Sequence, residues 1–298
     1  MLGHLRISSP RKQLGVLFLV FSPQLFLLIV GLFMSNDLGA SQKIDASNIQ
    51  QIKWSQALSS VLFFFLPAYL FSLFTFKGRH FYFLGLKKAQ QLNNYIFAVL
   101  GILFMLPLVF YLGQLNSGVN LPEWMKKMES STGNQLEAIL KVNSKWDILV
   151  NLFIIAFLPA ICEELFFRGA LQRVLIHYFK NPWVGIITAS FIFSTLHLQF
   201  AGFLPRFFLG ILLGFFYWYS GSLWPSIAAH FANNALQVLV ISFYPEYVKA
   251  NPNMPETMLI AASLGGAALL YQYYKQSKVT YESVYEPETL HEKSEFIA

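Results

Sequence analysis

The feature of this sequence that most limits its fold is a series of long apolar runs separated by short polar connections. Eight runs are present: Leu14–Met34, Ala57–Phe76, Tyr95–Gly113, Ile148–Ile176, Val184–Gln199, Phe203–Tyr219, Leu223–Phe243 and Glu256–Tyr274. A helix needs about 20 apolar residues to cross a bilayer core. Of the 298 residues, 55% are hydrophobic and 12% are charged, about half the usual charged fraction of ~25%. The sequence therefore predicts an all-α, polytopic transmembrane helical bundle of about eight spans.

Basic residues mark one side of this predicted bundle. They lie in alternate connections. The N-terminal segment has Arg6, Arg11 and Lys12, and the second connection has Lys77, Arg79, Lys87 and Lys88. The approach to the fourth connection has Arg173 and Lys180, and the tail begins with Lys275 and Lys278. Cytoplasmic connections carry the excess of Lys and Arg. We therefore expect an integral protein of the plasma membrane with both termini in the cytoplasm. The net charge of +6 is explained by this orientation, and we expect no nucleic-acid partner.

The connection between the third and fourth runs has an amphipathic pattern. Apolar residues recur at helical spacing in Leu121, Trp124, Met125 and Met128. After a break at SSTG, Asn134 and Glu137 are spaced for a helix cap. The pattern predicts one or two amphipathic helices on the outer membrane surface between spans 3 and 4. Two interpretations remain open, a plain surface helix and a gate for the substrate.

The organisation of the chain follows from these runs. We expect N-terminal transmembrane helices and the outer amphipathic segment over residues 1–146, a central group of spans over 147–243, and a last transmembrane helix over 244–275. Residues 276–298 contain five glutamates and few apolar groups. That composition is typical of a disordered extension, here a cytoplasmic tail.

Two adjacent glutamates interrupt the fourth run, NLFIIAFLPAICEELFFRGALQRV. Carboxylates at membrane depth are costly and usually functional. Glu164 and Arg168 are four residues apart, so they share a helix face in the order that favours an ion pair. Glu163 points about 100° away from Glu164 and has no partner on its own helix. It is either a general base or the partner of a basic group on another helix.

Histidines in the next apolar runs could complete a site. His197 lies four residues after Phe193, and His230 lies four residues before Asn234. His and Asn side chains on one helix face can donate hydrogen bonds to an oxyanion, or they can join two helices. Counting residues from the predicted turns, Glu163, His197 and His230 can meet at one depth in the cytoplasmic half of the membrane. We therefore expect any site formed by these residues to lie near the cytoplasmic face.

These residues also carry a family resemblance. EELFFR matches EExxxR, FSTLH matches FxxxH, and HFANN matches HxxxN, in this order on separate spans. Together they resemble the CPBP family of intramembrane proteases, which includes CAAX prenyl endopeptidases and bacteriocin-processing, Abi-type proteins. The resemblance implies that Glu163 activates water with help from His197, and that His230 and Asn234 hold the oxyanion. The remaining motif residues, Glu164, Arg168 and Phe193, would support the site.

The resemblance implies a metalloprotease that has its catalytic core at residues 147–243 and hydrolyses a peptide bond near the cytoplasmic face. The residues themselves allow two interpretations. Glu163, His197 and His230 could form a His₂Glu zinc site with an open position. The chain lacks the HExxH motif of ordinary zinc proteases, which favours water activation without a metal. The expected partners are the lipid bilayer and a substrate that is a CAAX-type peptide, a leader peptide or a membrane protein. The alternatives from other classes are a non-catalytic membrane scaffold and a proton-coupled transporter.

Overall fold

The computed structural model describes residues 4–38, 48–89, 91–140, 142, 144–244, 255–277, 279–281 and 283. The described residues form nine helices: α1 Pro10–Leu38, α2 Ile49–Thr75, α3 Asn93–Ser117, α4 Glu123–Leu140, α5 Lys145–Phe179, α6 Pro182–Leu196, α7 Phe203–Ser220, α8 Leu223–Phe243 and α9 Glu256–Gln276. A π-helical turn, Tyr82–Leu86, connects α2 to α3, and a 3₁₀ turn, Phe200–Gly202, precedes α7. The all-helical architecture predicted from the apolar runs is confirmed.

Six of these helices, α1, α2, α3, α5, α7 and α8, are long and apolar enough to cross a membrane. The chain is therefore an integral membrane protein. The predicted number of eight spans is not confirmed. Helix α6 has only 15 residues, which gives a length of about 22 Å against a hydrocarbon core of about 30 Å. Helix α9 has 21 residues, but it ends in the polar sequence YQYYKQ and is not among the six.

Helix α4 is one continuous helix that packs on the turn between α6 and α7. The Glu129 Oε1 atom accepts a hydrogen bond from the Ala201 N–H at 2.8 Å. The Trp124 ring meets the Phe200 ring edge to face at 5.6 Å. The predicted break at SSTG is absent from the helix, and its amphipathic placement on a membrane surface stays a prediction. The side chains of Asn134 and Glu137, proposed as a cap, lie outside the described residues.

Helix α5 carries the two glutamates between two π-helical segments, Leu152–Phe157 and Leu165–Gln172. Such insertions into an α-helix are frequent at functional sites because they rotate one half of the helix relative to the other. The α-helical part between them, Leu158–Glu164, begins with Pro159 in its first turn. Proline has no N–H to donate to the carbonyl of Ile155 four residues earlier. This carbonyl lies beside the candidate site.

Helices α5 and α7 are joined by two parallel hydrogen bonds. Arg168 Nη2 donates to the carbonyl of Gly210 at 3.1 Å, and Gln172 Nε2 donates to the carbonyl of Gly214 at 3.0 Å. A Cβ atom on Gly214 would lie 2.9 Å from Ile186 of α6. The glycines therefore let α5, α6 and α7 approach closely, as small residues do between membrane helices.

The two ends of the described chain meet at the same end of the bundle. The His4 ring stacks on the Phe83 ring at 4.2 Å. The Tyr281 hydroxyl donates to the carbonyl of Phe83 at 2.9 Å, and its side chain is 1% exposed. Burial raises the pKa of Tyr281 above its ordinary value. The tail predicted to be disordered from residue 276 therefore begins with a packed segment, and residues 284–298 lie outside the described part of the chain.

Gly169 tests the close packing of α5. A Cβ atom there would lie 2.7 Å from the backbone carbonyl oxygen of Leu84, so one of the two segments must shift. We expect Gly169→Ala to destabilise the protein by about 1–3 kcal/mol, measured as a lowered midpoint of thermal unfolding in detergent. Gly15→Ala is the matched control because nothing lies within 4 Å of its added carbon. An equal effect of both substitutions would contradict this packing.

Candidate active site

A cavity of about 280 Å³ is lined by residues of every helix from α2 to α8 and of the turn after α6. Its walls include five of the residues that the sequence singled out: Glu163, Phe193, His197, His230 and Asn234. The other two, Glu164 and Arg168, are buried behind this wall and have 0% and 1% exposed side chains. Helices that are far apart in sequence thus bring all the predicted residues to one place.

Glu163 faces both imidazoles across a small gap. Its Oε2 atom is 3.9 Å from His197 Nε2 and 3.9 Å from His230 Nε2. Both distances exceed the range of a direct hydrogen bond, about 2.7–3.2 Å. A polar contact at this separation can be bridged by a water molecule. The carboxylate and the two Nε2 atoms can therefore share one small polar ligand.

The ring of His197 is held by its own helix. Its Nδ1 atom is 2.7 Å from the carbonyl oxygen of Phe193, four residues earlier. A carbonyl oxygen only accepts hydrogen bonds, so Nδ1 carries the proton in this contact. In the neutral ring, Nε2 is then an acceptor directed at Glu163. The FxxxH spacing thus fixes the tautomer of His197 through the backbone of Phe193.

The ring of His230 is held by Glu164. Nδ1 of His230 lies 3.0 Å from Glu164 Oε1, and the Ser226 hydroxyl donates to Glu164 Oε2 at 2.5 Å. Arg168 Nε lies 3.3 Å from the same Oε2 atom. The buried carboxylate of Glu164 therefore has three polar neighbours. A carboxylate that contacts one ring nitrogen of a histidine fixes the orientation of its ring.

The Phe193 ring packs against both histidines. It meets the His197 ring at 4.7 Å and the His230 ring at 6.2 Å, in both cases edge to face. The Arg168 guanidinium lies 4.8 Å from the centre of the same ring, within the range of a cation–π contact. The motif phenylalanine therefore supports both imidazoles and the buried ion pair.

Asn234 lies on the cavity wall, and its side-chain NH₂ group makes only one long hydrogen bond. Its Nδ2 atom donates to the Ile155 carbonyl at 3.5 Å, the outer limit of a hydrogen bond. Pro159 has no N–H with which to donate a hydrogen bond to this carbonyl. The Asn234 Oδ1 atom accepts from Asn233 Nδ2 at 3.0 Å. This pair of bonds turns the NH₂ group of Asn234 toward α5 and leaves it with donor capacity.

Glu163, His197 and His230 offer the donor types of a zinc site, but their arrangement does not fit a metal ion. In the described part of the chain, no three His, Cys, Asp or Glu side chains lie close enough together to hold one. We therefore derive no chemical step through a metal.

The structure adds cavity residues that the sequence analysis missed: Gln56, Gln199, Arg206, Asn233 and Gln237. Ser226 also belongs to the site through its bond to Glu164. Two signals were present in the sequence. Ser226 lies four residues before His230, on the same helix face, and Arg206 is the single charge within the apolar run of α7.

The cavity extends away from both chain ends. Its walls use the first half of α5, with Ile155 and Pro159, and the second half of α8, with Gln237 and Ile241. The chain ends meet at Phe83, beside the start of α8, where the Trp224 indole donates to the Leu86 carbonyl. The depth of the site relative to the two membrane faces stays a prediction.

The match with a known protein family covers the same segment. Residues 145–236 match the family model described as Type II CAAX prenyl endopeptidase Rce1-like. The resemblance to the CPBP family is confirmed. The matched CPBP segment contains every residue of the three motifs and runs from the start of α5 into α8. Searches of curated proteins and of solved structures found no match to this chain.

The ion pair behind His230 makes a stability prediction. Glu164→Gln leaves the buried guanidinium of Arg168 without its carboxylate, which costs about 3–5 kcal/mol. We expect a large fall in the midpoint of thermal unfolding in detergent. Glu123→Gln is the control, because it removes the Glu123–Lys126 ion pair at 2.9 Å, whose carboxylate side chain is 80% exposed. Such pairs contribute about 0–1 kcal/mol. Similar effects of the two substitutions would contradict the role of Glu164.

Proposed function

We propose that this protein is an intramembrane endopeptidase that hydrolyses a peptide bond with water activated by Glu163. The observation that carries the proposal is the convergence of the Glu163 carboxylate with Nε2 of His197 and of His230, each 3.9 Å away, inside a cavity. The family match over residues 145–236 supports the same class of reaction.

Glu163 is the general base of this proposal. It accepts a proton from a water molecule in the gap between the three side chains, while neutral His197 accepts the second O–H through Nε2. General bases of this kind contribute about 10²–10⁴-fold to a rate. The oxygen of the water then attacks the carbonyl carbon of the peptide bond, and the carbonyl oxygen becomes an oxyanion.

His230 and Asn234 stabilise that oxyanion. His230 donates a hydrogen bond from Nε2, and Glu164 holds the ring from its Nδ1 side. Asn234 donates from Nδ2, which is held only by the long bond to Ile155. Donors that are already oriented in a water-poor cavity stabilise developing charge strongly. Glu163 then returns its proton to the leaving amine, so the reaction forms one carboxylic acid and one amine.

The rest of the cavity wall offers hydrogen-bonding groups for a peptide backbone. The side-chain amides of Gln56, Asn233, Asn234 and Gln237 also line the cavity, and each can both donate and accept hydrogen bonds. An extended peptide backbone needs both kinds of partner. We propose a CAAX-type peptide, a leader peptide or a membrane-protein segment as substrate.

The reaction is tested by cleavage of a reporter peptide library by the purified full-length protein. Glu163→Gln keeps the size of the side chain but removes the base, so we expect the cleavage rate to fall by about 10²–10⁴-fold with unchanged thermal stability. Glu256→Gln, at the exposed start of α9, is the control and should cleave at the wild-type rate. A Glu163→Gln protein that cleaves normally, or a wild type that cleaves nothing, would favour a scaffold or a transporter.

A chelator distinguishes the metal-free interpretation of Glu163, His197 and His230 from the zinc interpretation. Because Glu163, His197 and His230 do not form a metal-holding group, we expect 1,10-phenanthroline and EDTA to leave the cleavage rate unchanged. The same titration against a known zinc protease shows that the chelators work under these conditions. Loss of cleavage that returns with added Zn²⁺ would overturn the metal-free mechanism and restore the zinc interpretation.

A further inference from the structure

Arg206 lines the cavity but has no role in the proposed mechanism. It lies in the first turn of α7, whose other residues are apolar or uncharged. Its side chain lines the same cavity as Glu163 and His197. A cation within an apolar membrane segment is costly, and such residues commonly mark a path or site for a substrate or ion.

The hydrogen bonds of Arg206 go to neutral partners. Both terminal nitrogens donate to Gln199, Nη1 to the side-chain Oε1 atom and Nη2 to the main-chain carbonyl. The Nε atom is buried and has no hydrogen-bond partner among the described residues. Gln199 therefore positions the guanidinium without neutralising its charge.

Two carboxylates interact electrostatically with Arg206, but neither forms an ion pair with it. Glu129 on α4 and Glu163 both influence its charge, but no carboxylate in the described part of the chain forms an ion pair with it. Glu129 is already occupied by the Ala201 N–H. The guanidinium thus retains the capacity to bind an anionic group in the cavity.

We propose that Arg206 is a specificity-determining residue that binds a carboxylate of the peptide substrate. The inference rests on the proposed function and names a chemical group that the substrate must carry. A guanidinium binds a carboxylate with short, charge-assisted hydrogen bonds that fix its orientation. The carboxylate can be the free C-terminus of the peptide or the side chain of an Asp or Glu.

A positioning role is the alternative that the test must exclude. Gln199 lies two residues after His197, so loss of Arg206 could displace the loop and the imidazole. That defect would weaken every peptide equally, whereas loss of a carboxylate contact affects only peptides that carry the carboxylate. The comparison of acidic and neutral forms of one peptide therefore separates the two roles.

The experiment measures binding, which does not require cleavage. Full-length Glu163→Gln protein in detergent is titrated with dansylated aliphatic tetrapeptides as free acids, as C-terminal amides, and as amides that contain one internal glutamate. We expect at least one acidic form to bind about tenfold or more tightly than the plain amides, as for hydrogen bonds to a charged group. The free acids report a C-terminal carboxylate, and the glutamate amides report a side-chain carboxylate.

Substitutions assign this preference to Arg206. Arg206→Gln in the same background should bind all three sets as weakly as the plain amides, and Arg206→Lys should retain part of the preference. Lys126→Gln removes an equal charge from the exposed face of α4 and should retain all of it. Unchanged binding of the plain amides shows that the cavity is intact.

Three results would overturn the inference: equal binding of acids and amides by the Arg206 protein, an acid preference that survives Arg206→Gln, or no binding of any peptide. A loss of amide binding in Arg206→Gln and Arg206→Lys together would assign Arg206 to positioning instead. Failure of the proposed function is a separate result, because it appears as absent cleavage by protein that retains Glu163, whatever the peptides show in the binding assay.

Discussion

The rest of the site depends on one buried ion pair, that of Glu164 with Arg168. Two charges in an apolar bundle are tolerable only when each is paired and hydrogen-bonded. Here Arg168 also reaches the Gly210 carbonyl of α7, and Glu164 also holds Ser226 and His230 of α8. The pair therefore fixes three helices relative to one another. The position of the His230 ring follows from it.

The two adjacent glutamates consequently have different tasks. Glu164 is surrounded by polar partners behind the wall of the cavity, whereas Glu163 faces the imidazoles across 3.9 Å. Neighbouring residues on a helix point about 100° apart, so one carboxylate faces the structural interior and the other faces the cavity. Two adjacent sequence positions thus supply the supporting carboxylate and the reactive one.

Local spacing explains how much of this could be predicted. The four-residue interval predicted the Glu164–Arg168 pair, and the apolar runs predicted the helices. The contacts of Ser226 and Arg206 could not be predicted, because they depend on how α5, α7 and α8 pack. The short α6 likewise depends on the turn at Phe200–Gly202.

The central claim is that Glu163, His197 and His230 share one small polar ligand within the membrane. An experimental structure of the wild-type protein in lipid nanodiscs, at a resolution that shows ordered water, tests it most directly. The account predicts density for a water molecule between Glu163 Oε2 and the two Nε2 atoms, with His230 Nδ1 on Glu164. Apolar side chains packed between Glu163 and the imidazoles would contradict it.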